Sequence, residues 1–76
     1  MTIESFKKLD DIAKYQEVLN GTLLSVRQVP GYKIQLYNVY EFYVEVFYCT
    51  DKHFIEKVRA FRSTKLIEPY LHGGLQ

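Results

Sequence analysis

The chain has 76 residues, 47% of them hydrophobic and 25% charged, with a formal net charge of +1. That length allows one domain over residues 1–76 with a marginal core, because a chain of this size buries only about 60% of the surface its unfolded form exposes. Near-neutral charge gives no electrostatic case for nucleic acid or an acidic partner, and a single cysteine, Cys49, excludes an internal disulfide and disfavours a cysteine-based metal site.

Residues 3–19 carry a helical pattern. At 100° per residue Ile3, Phe6, Leu9, Ile12, Ala13 and Leu19 share one broad side, and Lys7, Asp10, Asp11, Lys14 and Glu17 fall mostly away from it. Thr2 is placed to cap the N-terminus, with Glu4 in the first turn. Asn20-Gly21 ends the helix, on the expectation that Gly21 adopts the left-handed conformation of a C-cap. This predicts one long amphipathic helix.

Beyond Gly21 the period shortens to two. Residues 22–28 read as a first strand, with Leu24 and Val26 on one face and Leu23, Ser25 and Arg27 on the other. Val29-Pro30-Gly31 is a turn signal, since Pro fixes φ and Gly supplies a positive one. A second strand over 32–37 alternates Tyr32, Ile34 and Leu36 against Lys33, Gln35 and Tyr37, and residues 38–41 form a short connection.

The third strand, 42–49, is made almost wholly of β-favouring residues. Phe42, Val44, Val46 and Tyr48 line the inner face, leaving Tyr43, Glu45, Phe47 and Cys49 outside. A polar turn at 50–52 leads into a fourth strand over 53–62. A three-residue loop sets Glu45 opposite Lys57, Val44 opposite Val58, Tyr43 opposite Arg59 and Phe47 opposite Ile55. Such cross-strand pairs contribute roughly 0.2–1 kcal/mol each. The same reasoning sets Leu36 opposite Val44, Ile34 opposite Val46 and Gln35 beside Glu45. Glu56 then falls on the inner face unless it lies at the rim or a bulge turns it outward.

Ser63 or Thr64 caps a short helix over 64–71 carrying Leu66, Ile67, Tyr70 and Leu71. Pro69 limits that helix, and 72–76 form a tail. The fold class is α+β: a four-stranded antiparallel meander in the order α-β-β-β-β-α, with both helices on one face. The expected core is Phe6, Leu9, Ala13, Leu24, Val26, Ile34, Leu36, Phe42, Val44, Val46, Val58 and Leu66. In element order alone the chain resembles the double-stranded-RNA-binding domain, α-β-β-β-α. That family reads phosphates with a lysine-rich start to its last helix, where Thr64-Lys65-Leu66-Ile67 offers one Lys, so the resemblance carries no residue across.

Cys49, Asp51 and His53 put a thiol, a carboxylate and an imidazole within five positions, the groups of a nucleophile, an orienting acid and a base. They flank a solvated turn, whereas catalytic sites sit in concave pockets, and His53, His72 and Cys49 have no metal-ligand spacing. The pair Asp10-Asp11 reads as solvated charge. Gly73-Gly74 follows no strand and opens no helix, so it makes no phosphate loop. The expectation is a non-enzymatic protein without catalytic residues, metal or cofactor. No apolar run reaches the roughly 18 residues of a membrane span, and Met1-Thr2-Ile3-Glu4 lacks a secretory layout, so the default location is cytoplasmic.

Seven Tyr and five Phe are a surplus of large side chains for so small a core. On the outer face Tyr37, Tyr43, Phe47 and Phe61 interleave with Glu45, Lys57 and Arg59. That composition is typical of protein interfaces, and these seven residues are the expected contact surface, with a second copy of the chain or another protein as the partner. The alternative use of the same face is stacking of single-stranded bases on Tyr43 and Phe47, flanked by Lys57 and Arg59.

Overall fold

Two short helices replace the single long one. The computed structural model describes residues 1–62, and the helix expected at 64–71, the tail at 72–76 and the core position Leu66 lie outside the described residues. Thr2 caps α1 (Ile3–Lys7) as expected, its hydroxyl accepting from the Ser5 amide at 3.1 Å. The chain then breaks at Lys8–Asp10. Asp10, read as a mid-helix charge, caps α2 (Asp11–Leu19) by accepting from the Ala13 amide at 2.8 Å. This cap resets the helical phase: Val18 becomes fully buried, and Ile12 and Leu19 are left exposed.

Gly21 follows α2, but its φ is not positive; Gly31 is the positive-φ glycine among the described residues. Gly21 is required by close approach instead. A Cβ there would stand 2.5 Å from the Asn38 carbonyl oxygen and 2.8 Å from Val39 Cγ2.

Four antiparallel strands follow in the order β1-β2-β3-β4: β1 (Thr22–Val29), β2 (Tyr32–Val39), β3 (Phe42–Cys49) and β4 (Phe54–Phe61). Pro30-Gly31 makes the first turn, with Gly31 at φ 84°, the geometry that favours Pro then Gly. The second turn is Tyr40-Glu41, with Tyr40 at φ 53°. It is one residue tighter than the expected register requires, so Leu36 faces Glu45, Ile34 faces Phe47 and Tyr37 faces Val44. A shift of one residue flips every side chain of a strand. Ile34 and Leu36 therefore leave the helix side, and Tyr37 and Val39 take their place.

The β3–β4 register differs for two additive reasons. The loop is four residues, 50–53, with His53 at φ 59°, and a bulge leaves Glu56 without an opposite residue. Each adds one residue, so Glu45 faces Arg59, Val46 faces Val58, Phe47 faces Lys57 and Tyr43 faces Phe61. The combined shift of two keeps Lys57, Arg59 and Phe61 on the expected face. Between loop and bulge it is odd, and Ile55 packs on the helix side opposite Tyr48 rather than outside opposite Phe47. A second bulge in β1 leaves Leu24 unpaired.

Both faces of the sheet bury apolar side chains. Ile3, Phe6, Val18, Val39, Phe42, Val44 and Val46 form the helix-side cluster, joined by the partly buried Leu9, Tyr15, Tyr37, Ile55, Val58 and Ala60. The opposite face holds Ile34, Leu36 and Phe61, with Tyr32, Tyr43 and Phe47 against them. Two expected core residues, Leu24 and Val26, are exposed.

Candidate functional site

Strand alternation sets the residues of the face opposite the helices. Tyr43, Glu45 and Phe47 of β3 and Lys57, Arg59 and Phe61 of β4 share it, as expected. Tyr37 does not, because the tight Tyr40-Glu41 turn moves it to the helix side, where burial pushes its phenol up with help from Tyr15.

The six that do share the face pack into one another. Tyr43 stacks on Phe61 with ring centroids 5.8 Å apart, and Phe47 meets Tyr32 edge-on at 6.5 Å. Lys57 Nζ lies 5.4 Å from the Phe47 centroid, and the Arg59 guanidinium lies 5.8 Å from that of Phe61. Arg59 Nε stands 3.9 Å from Glu45 Oε1. Glu45 itself is only 5% exposed and Phe61 only 7%. The centre of the face is thus already buried, and its accessible members are the half-buried Tyr43 and Phe47 and the exposed Lys57 and Arg59. The bulge turns Glu56 towards Tyr32, where hydrogen bonding to the carboxylate, and then its charge, hold the Tyr32 phenol above the ordinary tyrosine value.

At the β3–β4 loop, Cys49 is a buried free thiol. His53 Nδ1 stands 3.5 Å from the Tyr48 hydroxyl, and its backbone amide donates to the Cys49 carbonyl at 2.9 Å. Asp51 is exposed. Among the described residues no three His, Cys, Asp or Glu are grouped to hold a metal ion, and no helix is long and apolar enough to cross a membrane.

Two features escaped the sequence reading. One is the β1 edge, where Leu23, Leu24, Val26 and Val29 are all exposed along a strand that, among the described residues, is paired on one side alone. The other is a groove of about 370 Å³ between α2 and β4, walled by Ile12, Tyr15, Ile55 and Val58 with Asp11, Gln16, Glu56 and Lys57 around it. Both arise where an apolar residue stands outside the core: Leu24 and Val26, expected in it, in the first case, and Ile12, from the apolar side of the expected helix, in the second. Comparison with protein-family models, curated proteins and solved structures finds no match for this chain.

Proposed function

We propose that this chain is a small, non-enzymatic protein-interaction module that self-associates, and that the β1 edge is the contact. The observation that carries this reading is the exposure of four large apolar side chains, Leu23, Leu24, Val26 and Val29, on an edge strand. Soluble monomers blunt such edges with charge, because unpaired N–H and C=O groups beside apolar side chains invite another strand. On β1 the only charge is Arg27. Antiparallel pairing of two copies about Val26 sets Val26 against Val26 on the helix side and Ser25 against Arg27 on the other. It brings no like charges together and extends the sheet across both copies.

The aromatic and cationic side chains of β3 and β4 lie towards the other side of the sheet from this edge. Lys57 and Arg59 already lie over Phe47 and Phe61, so a base stacking on either ring has to displace a cation. That favours a protein partner over single-stranded nucleic acid.

Sedimentation at micromolar concentration tests the reading. The expected species is a dimer that Val26→Lys converts to a folded monomer, since Val26 is exposed and the substitution leaves the core intact. A monomer in the unsubstituted chain overturns it.

A further inference from the structure

The second edge of the sheet, β4, carries different chemistry from β1, and we infer that it binds an extended peptide in which acidic and apolar residues alternate. This goes beyond self-association and uses other residues. Three observations converge on it. Among the described residues β4 is paired on one side only, so its outward main-chain groups can take an added strand. On the face opposite the helices it presents the exposed cations Lys57 and Arg59. On the helix side it borders the groove walled by Ile12, Tyr15, Ile55 and Val58.

The alternation follows from the pleat. Residues directly opposite one another in adjacent strands share a face. A peptide residue opposite Lys57 or Arg59 therefore lies beside a cation, and an acidic side chain there gains charge pairing. The peptide residue opposite Val58 points to the other side, into the groove between β4 and α2, where an apolar side chain is covered by Ile12 and Tyr15. The groove volume, about 370 Å³, falls within the range of ligand-sized clefts, roughly 300–1,000 Å³. Glu56, the unpaired residue of the bulge, ends the strip on one side and disfavours an acid opposite it.

Charge also disfavours a second copy centred on the Lys57–Arg59 strip. Antiparallel self-pairing centred on Lys57, Val58 or Arg59 sets Lys57 against Arg59, or one of them against itself, and like charges directly opposite destabilise a ladder. The two edges thus select different partners.

The test uses a capped peptide alternating glutamate and valine, with a peptide of the same composition in two blocks as comparison. The expected result is saturable, salt-weakened binding of the alternating peptide, with slowed hydrogen exchange of β4 amides. Ile12→Glu, at a position 73% exposed and so neutral to folding, places a carboxylate in the groove and weakens binding by about tenfold or more. Val26→Lys, at the opposite edge, leaves binding unchanged. Equal binding of the two peptides, no binding, or binding indifferent to Ile12→Glu overturns the proposal. Sedimentation of the same samples separates the two readings. A monomer that binds the peptide sinks the dimer alone, and a dimer that ignores it sinks the peptide site alone.

Discussion

Tyr40 donates its hydroxyl to Glu17 Oε2 at 2.8 Å, tying the β2–β3 turn to α2 across 23 positions of sequence. The residue sits at φ 53°, where a side chain other than Gly is disfavoured. The bond and the packing of its ring near Phe42, 6.3 Å between centroids, hold it there. Glu17 raises the Tyr40 phenol above its ordinary value, first by accepting its hydrogen bond and then by its charge.

This gives a pH prediction with a definite sign. A phenol whose pKa is raised by folding stabilises the native state below its unfolded value, near 10. That stabilisation is lost as pH rises through the folded value. Stability should fall on the alkaline side of about pH 10, and Tyr40→Phe should make the fall shallower without abolishing it, because Tyr32 and Tyr37 are raised too. Urea midpoints measured on both sides of that pH check it. An identical alkaline slope in Tyr40→Phe would show that the Glu17 bond does not form in solution.

Gly21→Ala should destabilise by about 1–3 kcal/mol, the usual cost of forcing extra volume into a packed site. The added methyl meets the Asn38 carbonyl, which is backbone and cannot swing aside. Chemical denaturation measures the effect. At Gly31 the added methyl has room, its nearest neighbour lying 3.9 Å away, and the cost of Gly31→Ala should come from its positive φ alone, about 1–2 kcal/mol. Asn at position 31 should recover part of that loss, but Asn at position 21 should recover none.

Removing the cap of α2 by Asp10→Ala should cost about 1 kcal/mol, with Ser or Asn at the same position close to neutral. If α1 and α2 were one helix in solution, the alanine would instead be neutral or stabilising, so the sign of the change distinguishes two helices from one.

The two-sided core makes a further distinction. Leu36→Ala should cost about 2–5 kcal/mol although Leu36 faces away from both helices, because it is 2% exposed. Ile12→Ala, in a residue whose spacing places it on the buried side of a helix, should change stability by less than about 0.5 kcal/mol. Equilibrium unfolding of the two variants decides which residue belongs to the core.

The α+β class, the meander and the span of β3 were legible because they rest on composition and alternation, which act over many residues. Six β-favouring residues among the seven of Phe42–Tyr48 leave little choice. Registers rest on single residues and were missed where those residues are ordinary. Nothing about Tyr40 announces a left-handed turn, so the pattern gives a connection over 38–41 and a register one residue off, which puts Ile34, Leu36 and Tyr37 on the wrong faces. Asp10 was hidden in the same way, since a capping carboxylate and a solvated mid-helix one look alike in a pattern of charges. Every expected pair between β3 and β4 changed, yet Lys57, Arg59 and Phe61 kept their face because the two shifts add to an even number. The groove and the β1 edge were not legible, since each depends on apolar residues left exposed although their spacing puts them on an apolar face.

The bulge at Glu56 separates the length of the 50–53 loop from the orientation of most of β4. A residue gained or lost in that loop inverts only Phe54 and Ile55, because the bulge can absorb or supply the difference before Lys57. Loop length at this end of the molecule can therefore drift while Lys57, Val58 and Arg59 keep their sides of the sheet. Sequences related to this one should show insertions at 50–53 far more readily than at Tyr40-Glu41, where no such slack exists.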